Sequence, residues 1–242
     1  MDALIFDCDG VLADTERDAH RVAFNRAFAE AKVDADWDVK VYGRLLQIAG
    51  GKERMRAYFK EAGWPVPPAE RDALIAHLHA LKTEIFLKIV SSGELPVRHG
   101  INRIVDEAHA AGVRLAVCST SNERAVIEVV RRLLGAGRET KFAGIFAGDI
   151  IAHKKPAPDI YQFAAKKLSL DPARCLVVED SRNGLLAAVR AGMTCVITQS
   201  TYTVDEDFTE AAAVYADLGD PPDRHVTLGD LRAVFDKKNK SL

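Results

Sequence analysis

Between Pro96 and Leu218, short apolar runs rich in β-branched residues alternate with stretches of helical periodicity, and this alternation limits the possible folds more than any other feature. The runs cover residues 113–119, 145–147, 175–179 and 195–198, with an earlier one at 3–8, and each is bounded by Gly, polar or acidic residues. Helical patterns fill 101–111, 123–134, 159–168 and 184–191, and Gly112, Gly135 and Gly192 stand just beyond three of them, where a helix is expected to stop. Parallel neighbours in a sheet need crossover connections. The order therefore predicts an α/β fold: a Rossmann-like parallel sheet, helices on both faces, and ligands at the carboxyl ends of the strands.

The rhythm breaks after the first run. Residues 15–95 show helical periodicity, clearest over 19–31 and 70–89, and no convincing strand. The expected organisation is a core built from 1–14 and 96–242 with a helical cap domain inserted over 15–95. Its two crossings, 14–17 and Gly93-Glu94-Leu95-Pro96, are the expected hinges on which the cap closes over the strand ends. Pro221-Pro222 reads as a surface loop, and the lysine-bearing residues 236–242 as a frayed tail.

A chain of 242 residues, 48% hydrophobic, supplies the core of one large domain or of one domain with an insertion. The formal net charge of -2 creates no long-range attraction to nucleic acid or an anionic membrane, so neither is an expected partner and any anionic ligand must be held by local cations. Cys8, Cys118, Cys175 and Cys195 each lie in an apolar β-like run and form no CxxC pair, which predicts reduced core residues and a reducing compartment. No apolar stretch reaches the roughly 18 residues needed to span a bilayer. The first strand begins almost at Met1, so a leader is expected to be either absent or already removed.

Chemistry is suggested by what stands at the strand ends. In MDALIFDCDGVLADTE, Asp7 and Asp9 close an apolar run and Gly10 lets the backbone turn away, although a single DxDG also serves as a loop cap. The run at 175–179 likewise ends in Glu179-Asp180-Ser181. Carboxylates meeting at one crevice repel, so they must bind protons or a divalent cation, and hard oxygen ligands with room for water point to Mg²⁺. VRLAVCS ends at Ser119 and leads through Thr120-Ser121-Asn122 into a helix. Thr120 and Glu123 have capping-box spacing, and the free N–H groups there could instead hold a phosphate oxygen with Ser119. In HKKPAPD, Lys155 is either a solvated surface lysine or an ammonium carried into the acid cluster on a proline-stiffened loop. Four strand-end signals in one order favour the chemical reading of each.

DCDGVLADT, VCSTS, the KP of KKPAPD and VVEDS together resemble, over nearly the whole chain, the four motifs of the haloacid dehalogenase-like superfamily of phosphotransferases. The helical insert is similar to the cap of the subgroup containing β-phosphoglucomutase and the CbbY-type sugar-bisphosphate phosphatases. The resemblance implies that Asp7, ionised at neutral pH, is the nucleophile, and that Asp9, its pKa raised by burial and acidic neighbours, is the proton shuttle. It implies Mg²⁺ held by the Asp7 side chain, the Asp9 carbonyl and Asp180, with Glu179 ligating or positioning metal waters, and a phosphoryl group held by Ser119, the Thr120 N–H and Lys155. Gly50-Gly51-Lys52-Glu53-Arg54 is similar to a GGKER stretch in CbbY-type caps, though residues alone equally allow a loop before a basic helix start. By that resemblance Lys52 and Arg54 would serve the second phosphate of a bisphosphate, Glu16 and Tyr42 the sugar hydroxyls, and Gly51 would also contact the substrate. The implied substrate is the Rubisco inhibitor xylulose-1,5-bisphosphate, with a chloroplast stroma, or alternatively a bacterial cytoplasm, as the compartment.

Asp14-Thr15-Glu16 followed by His20-Arg21-Val22-Ala23-Phe24-Asn25, and Thr201-Tyr202-Thr203, agree with this subgroup. The spacing from Thr15 to His20 is one residue longer than in the mutase pattern, which leaves His20 outside the expected catalytic set. The alternatives are a sugar-phosphate mutase, which would return the phosphoryl group to the other end of its substrate, and a non-catalytic sugar-phosphate sensor. A site lying between its own cap and core needs no second subunit, so a monomer is expected.

Overall fold

The computed structural model describes residues 1–240 apart from Ala49, Glu94 and Ala136, so the expected hinge residue Glu94 and the last two residues of the expected tail lie outside the described residues. Strands β1 (Ala3–Phe6), β2 (Arg114–Ser119), β3 (Phe142–Ala147), β4 (Cys175–Glu179), β5 (Thr194–Thr198) and β6 (Ala213–Tyr215) form one sheet in the order β3-β2-β1-β4-β5-β6. Every adjacent pair is parallel, and Phe6 lies opposite both Val117 and Val178. The chain moves outward from β1 to β2 and β3, then returns to the other side of β1 for β4 to β6. That reversal opens a crevice beyond the carboxyl ends of β1 and β4, where Asp7 and Glu179-Asp180 emerge.

Helices α5 (Ile101–Ala110), α6 (Glu123–Leu134) and α9 (Leu228–Asn239) cover one face of the sheet, packing on Leu4, Phe6, Leu115, Val117, Leu176 and Val178. Helices α7 (Asp159–Lys167) and α8 (Arg182–Arg190) cover the other, over Ile5, Ala116, Cys118, Val177 and Ile197. The two sets alternate along each strand because successive side chains point to opposite faces. All four cysteines are buried free thiols; Cys8 lies with Leu4 and Phe6, on the face opposite to Ile5.

Several elements differ from expectation. Strand β1 ends at Phe6, so Asp7 and Asp9 lie in the turn beyond it, and β3 starts three residues earlier than its sequence pattern. Strand β6 has only three residues, too few to display a period. Helix α9 occupies most of the segment expected to fray: Thr227 and Asp230 form a reciprocal capping box, and Leu231 and Phe235 are buried. Asn122, rather than Thr120, caps α6, its Oδ1 accepting from the Ala125 N–H at 3.2 Å.

Between β1 and α5 come a π-helical turn, Glu16–His20, and helices α1 (Arg21–Glu30), α2 (Val39–Leu45), α3 (Gly51–Ala62) and α4 (Arg71–Ser91). They enclose an aromatic core in which Trp37 lies 4.6 Å from Phe24 and 5.0 Å from Phe28 between ring centroids. Phe86 and Val90 of α4 join the sheet's own apolar cluster, and α4 packs along α6. Polar contacts draw the helical insert over the strand ends: Lys52 pairs with Asp149 at 3.0 Å, Lys154 with Glu53 at 3.2 Å, and Gln47 donates to Glu206 at 2.8 Å. Among the described residues, no helix is long and apolar enough to cross a membrane.

Candidate active site

Asp7 leaves β1 at the centre of the crevice, buried, and its Oδ1 accepts from Lys155 Nζ at 2.6 Å. The same ammonium reaches Glu179 Oε1 at 2.6 Å and the Cys118 carbonyl at 3.1 Å. Its position is supported from behind by Tyr161 of α7, whose hydroxyl donates to Glu179 Oε1 and whose ring centroid lies 5.0 Å from Nζ. Glu179 Oε2 accepts from the Asp180 N–H at 3.2 Å. Glu179 thus braces Lys155 from below the cavity while its carboxylate stays beside those of Asp7 and Asp180. Gly184 makes this arrangement possible, because a Cβ there would lie 2.0 Å from the Glu179 carboxyl carbon.

Oxygens of Asp7, Glu179 and Asp180 lie within 4.8 Å of one another. Burial, opposed by Lys155 and reinforced by Glu179 and Asp9, pushes the Asp7 carboxyl up to about 8, and burial with Glu179 and Asp7 pushes Asp180 well above the usual range. With one ammonium among this much buried negative charge, a further cation beside Asp7 would favour its ionised form. The hard-oxygen donor set and the charge deficit both fit a divalent ion such as Mg²⁺. Gly10, at φ +82°, lets the turn pass against Asp180, where a Cβ would lie 2.0 Å from Oδ2.

Asp9 faces a different set of partners. Its carboxylate accepts from Thr15 Oγ1 at 2.5 Å, from Ser121 Oγ, and from His20 Nε2 at 2.8 Å. Burial raises its pKa, but His20, Ser121 and Thr15 outweigh burial and hold it below the usual carboxylate range, the reverse of the expected shift. Lys82 of α4 donates to His20 Nδ1 at 2.5 Å, which fixes the tautomer that donates from Nε2 to Asp9. His20 enters the site because the extra residue after Thr15 is absorbed in the π turn, where the Arg21 N–H bonds back to the Glu16 carbonyl.

Around these acids lies a cavity of about 340 Å³ lined from the core by Ser119, Thr120, Ser121 and Lys154 and from the insert by Glu16, Gly51, Lys52, Arg54, His79 and Lys82. Ser119 Oγ accepts from the Ser121 N–H at 3.1 Å. Of the expected sugar contacts, Glu16 faces the cavity, whereas Tyr42 is fully buried beneath it, donating to Glu16 and accepting from Arg54 at 3.2 Å. Tyr42 therefore positions Glu16 and Arg54 rather than meeting a ligand. Ser121, His20, Lys82, Tyr161 and Lys154 were not anticipated. Ser121, His20 and Lys154 stand within the motif stretches, whereas Lys82 and Tyr161 carried no sequence signal.

Burial, with the ammonium groups of Lys82, Lys52 and Lys154, pushes the His79 imidazole down to about 4. The unfolded imidazole titrates near 6.5, so between that pH and about 4 the unfolded chain binds a proton that the folded chain refuses. Stability should fall as pH drops through this window, by about 2 kcal/mol after discounting for partial exposure. Denaturant unfolding at pH 7 and pH 4.5 should show a smaller loss for His79→Gln than for the parent; equal losses would refute the assignment.

Two acidic strand ends at a parallel sheet's switch point, a lysine buried between them and a lid of helices carrying cations define a phosphate-ester hydrolase. The chain belongs to the haloacid dehalogenase-like hydrolases, whose family profile matches residues 1–192. It is 53% identical over 230 residues to a CBBY-like protein of Arabidopsis thaliana, covering 93% of this chain and 72% of that protein. The fold matches the crystal structure of CbbY from Rhodobacter sphaeroides in complex with phosphate, with TM-score 0.86, 38% identity and coverage of 96% and 99% of the two chains. A mutant of that CbbY in complex with xylulose-(1,5)bisphosphate matches with TM-score 0.83 and 39% identity, over 90% of this chain and 94% of that one. These likenesses make the chain a phosphatase of the CbbY type.

Proposed function

We propose that this phosphatase is a Mg²⁺-dependent sugar-bisphosphate hydrolase that works through an aspartyl-phosphate on Asp7, with xylulose-1,5-bisphosphate as substrate. The observation that carries the mechanism is the position of Asp7, buried at the switch point beside Lys155 and Asp180 and open to the cavity. An oxygen of Asp7 attacks phosphorus, the bond to the sugar oxygen breaks, and that oxygen takes a proton from Asp9. Asp9 then accepts a proton from water, whose oxygen attacks the phosphorus of the aspartyl-phosphate, releasing inorganic phosphate and restoring Asp7. The donors around Asp9 hold it deprotonated, the form a base must start in, and the negative charge of an arriving phosphate favours the protonated form needed for its role as acid.

Asp7, Asp180 and the Asp9 carbonyl, with Glu179 ligating or positioning metal waters, are the proposed holders of Mg²⁺, which would supply charge neutralisation for the nucleophile and the phosphoryl oxygens. Lys155, Ser119 and the N–H groups from Thr120 onward would hold the transferred phosphoryl group. The bisphosphate reading is supported by a second group of cations, Lys52, Lys154 and Arg54, and by the start of α3 at Gly51, all lining the same cavity. It is also supported by the ligand of the R. sphaeroides mutant complex. The chloroplast stroma, or alternatively a bacterial cytoplasm, and a monomeric state go with this reading.

The hydrogen bond from His20 to Asp9 also suits a mutase, so product analysis decides between the two. Phosphate release from xylulose-1,5-bisphosphate should require Mg²⁺ and exceed that from ribulose-1,5-bisphosphate and hexose monophosphates by about 100-fold or more in kcat/KM, roughly 3 kcal/mol of discrimination. Isomerisation of a monophosphate without phosphate release would establish the mutase, and turnover of hexose monophosphates alone would remove the bisphosphate assignment.

A further inference from the structure

Arg98 lies just past the second crossing between insert and core, and its contacts converge on the backbone of three loops. Its guanidinium donates to the Gly10 carbonyl, to the Thr198 carbonyl at 3.0 Å, and to those of Gln199 and Ala216 at 2.6 Å each. Its own N–H donates to the Leu12 carbonyl at 3.0 Å. Gly10 and Leu12 belong to the turn after β1, Thr198 and Gln199 to the end of β5, and Ala216 follows β6. In the sheet, β4 lies between β1 and β5. Arg98 therefore ties together the loops on either side of the strand that ends in Asp180.

Both tied loops border Asp180. The Gly10 backbone passes so close that a Cβ would overlap the carboxylate, and Ser200, next to Gln199, lines the same cavity as Asp180. The geometry points to Arg98 as a positioning residue for the metal site, setting the separation between the Asp7–Asp9 turn and Asp180 by holding the flanking carbonyls. This rests on the proposal that those acids hold Mg²⁺. A guanidinium suits the task, because its planar fork serves several acceptors in fixed directions and keeps its charge, whereas an ammonium offers no such plane. Arg98 touches no substrate in this account; it acts through Gly10 and the loop that carries Ser200.

The test is a Mg²⁺ titration of the melting temperature without substrate, using the full chain with Arg98→Met, Arg98→Lys and Asp180→Asn, followed by steady-state kinetics at saturating Mg²⁺. Arg98→Met should raise the half-saturating Mg²⁺ concentration at least tenfold, Arg98→Lys should fall between it and the parent, and KM for the sugar phosphate should stay within twofold. Asp180→Asn should lose the Mg²⁺ response while retaining its fold. Should Arg98→Met not fold, a shift of at least threefold in Arg98→Lys carries the proposal. A lower melting temperature with unchanged Mg²⁺ half-saturation would show that Arg98 is merely structural, while the metal assignment stands. A parent protein with no Mg²⁺ response would overturn both.

Discussion

Asp7→Asn should lower kcat by about 10⁴-fold or more while leaving sugar-phosphate affinity within a few-fold of the parent, the signature of a lost nucleophile rather than a lost binding group. The carboxamide is nearly the same shape but does not attack phosphorus. Lys155 keeps Glu179 and the Cys118 carbonyl as acceptors, so the side of the cavity proposed to bind phosphate is preserved. The substitution also removes one of the carboxylates that crowd the crevice, so the melting temperature without Mg²⁺ should be equal to or above that of the parent. Kinetics and thermal unfolding of the same preparation separate these effects. An activity within tenfold of the parent would exclude Asp7 as the nucleophile.

Lys155→Met should damage both folding and catalysis. Its ammonium is buried and serves Asp7, Glu179 and the Cys118 carbonyl together. Methionine fills much of the same volume but leaves these acceptors without a donor, and breaking a buried ion pair from one side costs about 3–5 kcal/mol. In a domain of this size that corresponds to a fall of about 10 °C in melting temperature. On the proposed mechanism the transferred phosphoryl group loses a fixed cation as well, so kcat should drop by about 10³-fold. If the melting temperature moves by less than about 2 °C, protons rather than Lys155 neutralise the two carboxylates.

Where the sequence was legible, the signal was local. Asp7 and Asp180 could be read because each stands at the end of an apolar run that had to be a strand, and parallel strands deliver their ends to one side of the sheet. Lys155 was legible because two prolines stiffen the loop that carries it. Strand β6 and helix α9 were missed for opposite reasons: three residues show no period, and the lysines of α9 conceal an apolar side that becomes evident only once Leu231 and Phe235 pack. His20 was set aside on a count of residues, and the π turn that restores it to Asp9 leaves no mark in composition.

The sequence by itself determined the sheet, the acids at its strand ends and the helical nature of the insert, because these depend on periodicities of two and 3.6 residues and on the rigidity of Gly and Pro. Only the tertiary structure decided which groups those acids meet. Lys82 reaches His20 across 62 positions of chain, Arg98 reaches Ala216 across 118, and Tyr161 places its hydroxyl on Glu179, which in turn braces Lys155. Such pairings depend on which faces pack together. The same packing decided that Asp9 is held as a carboxylate while Asp7, two residues away, is pushed toward its protonated form.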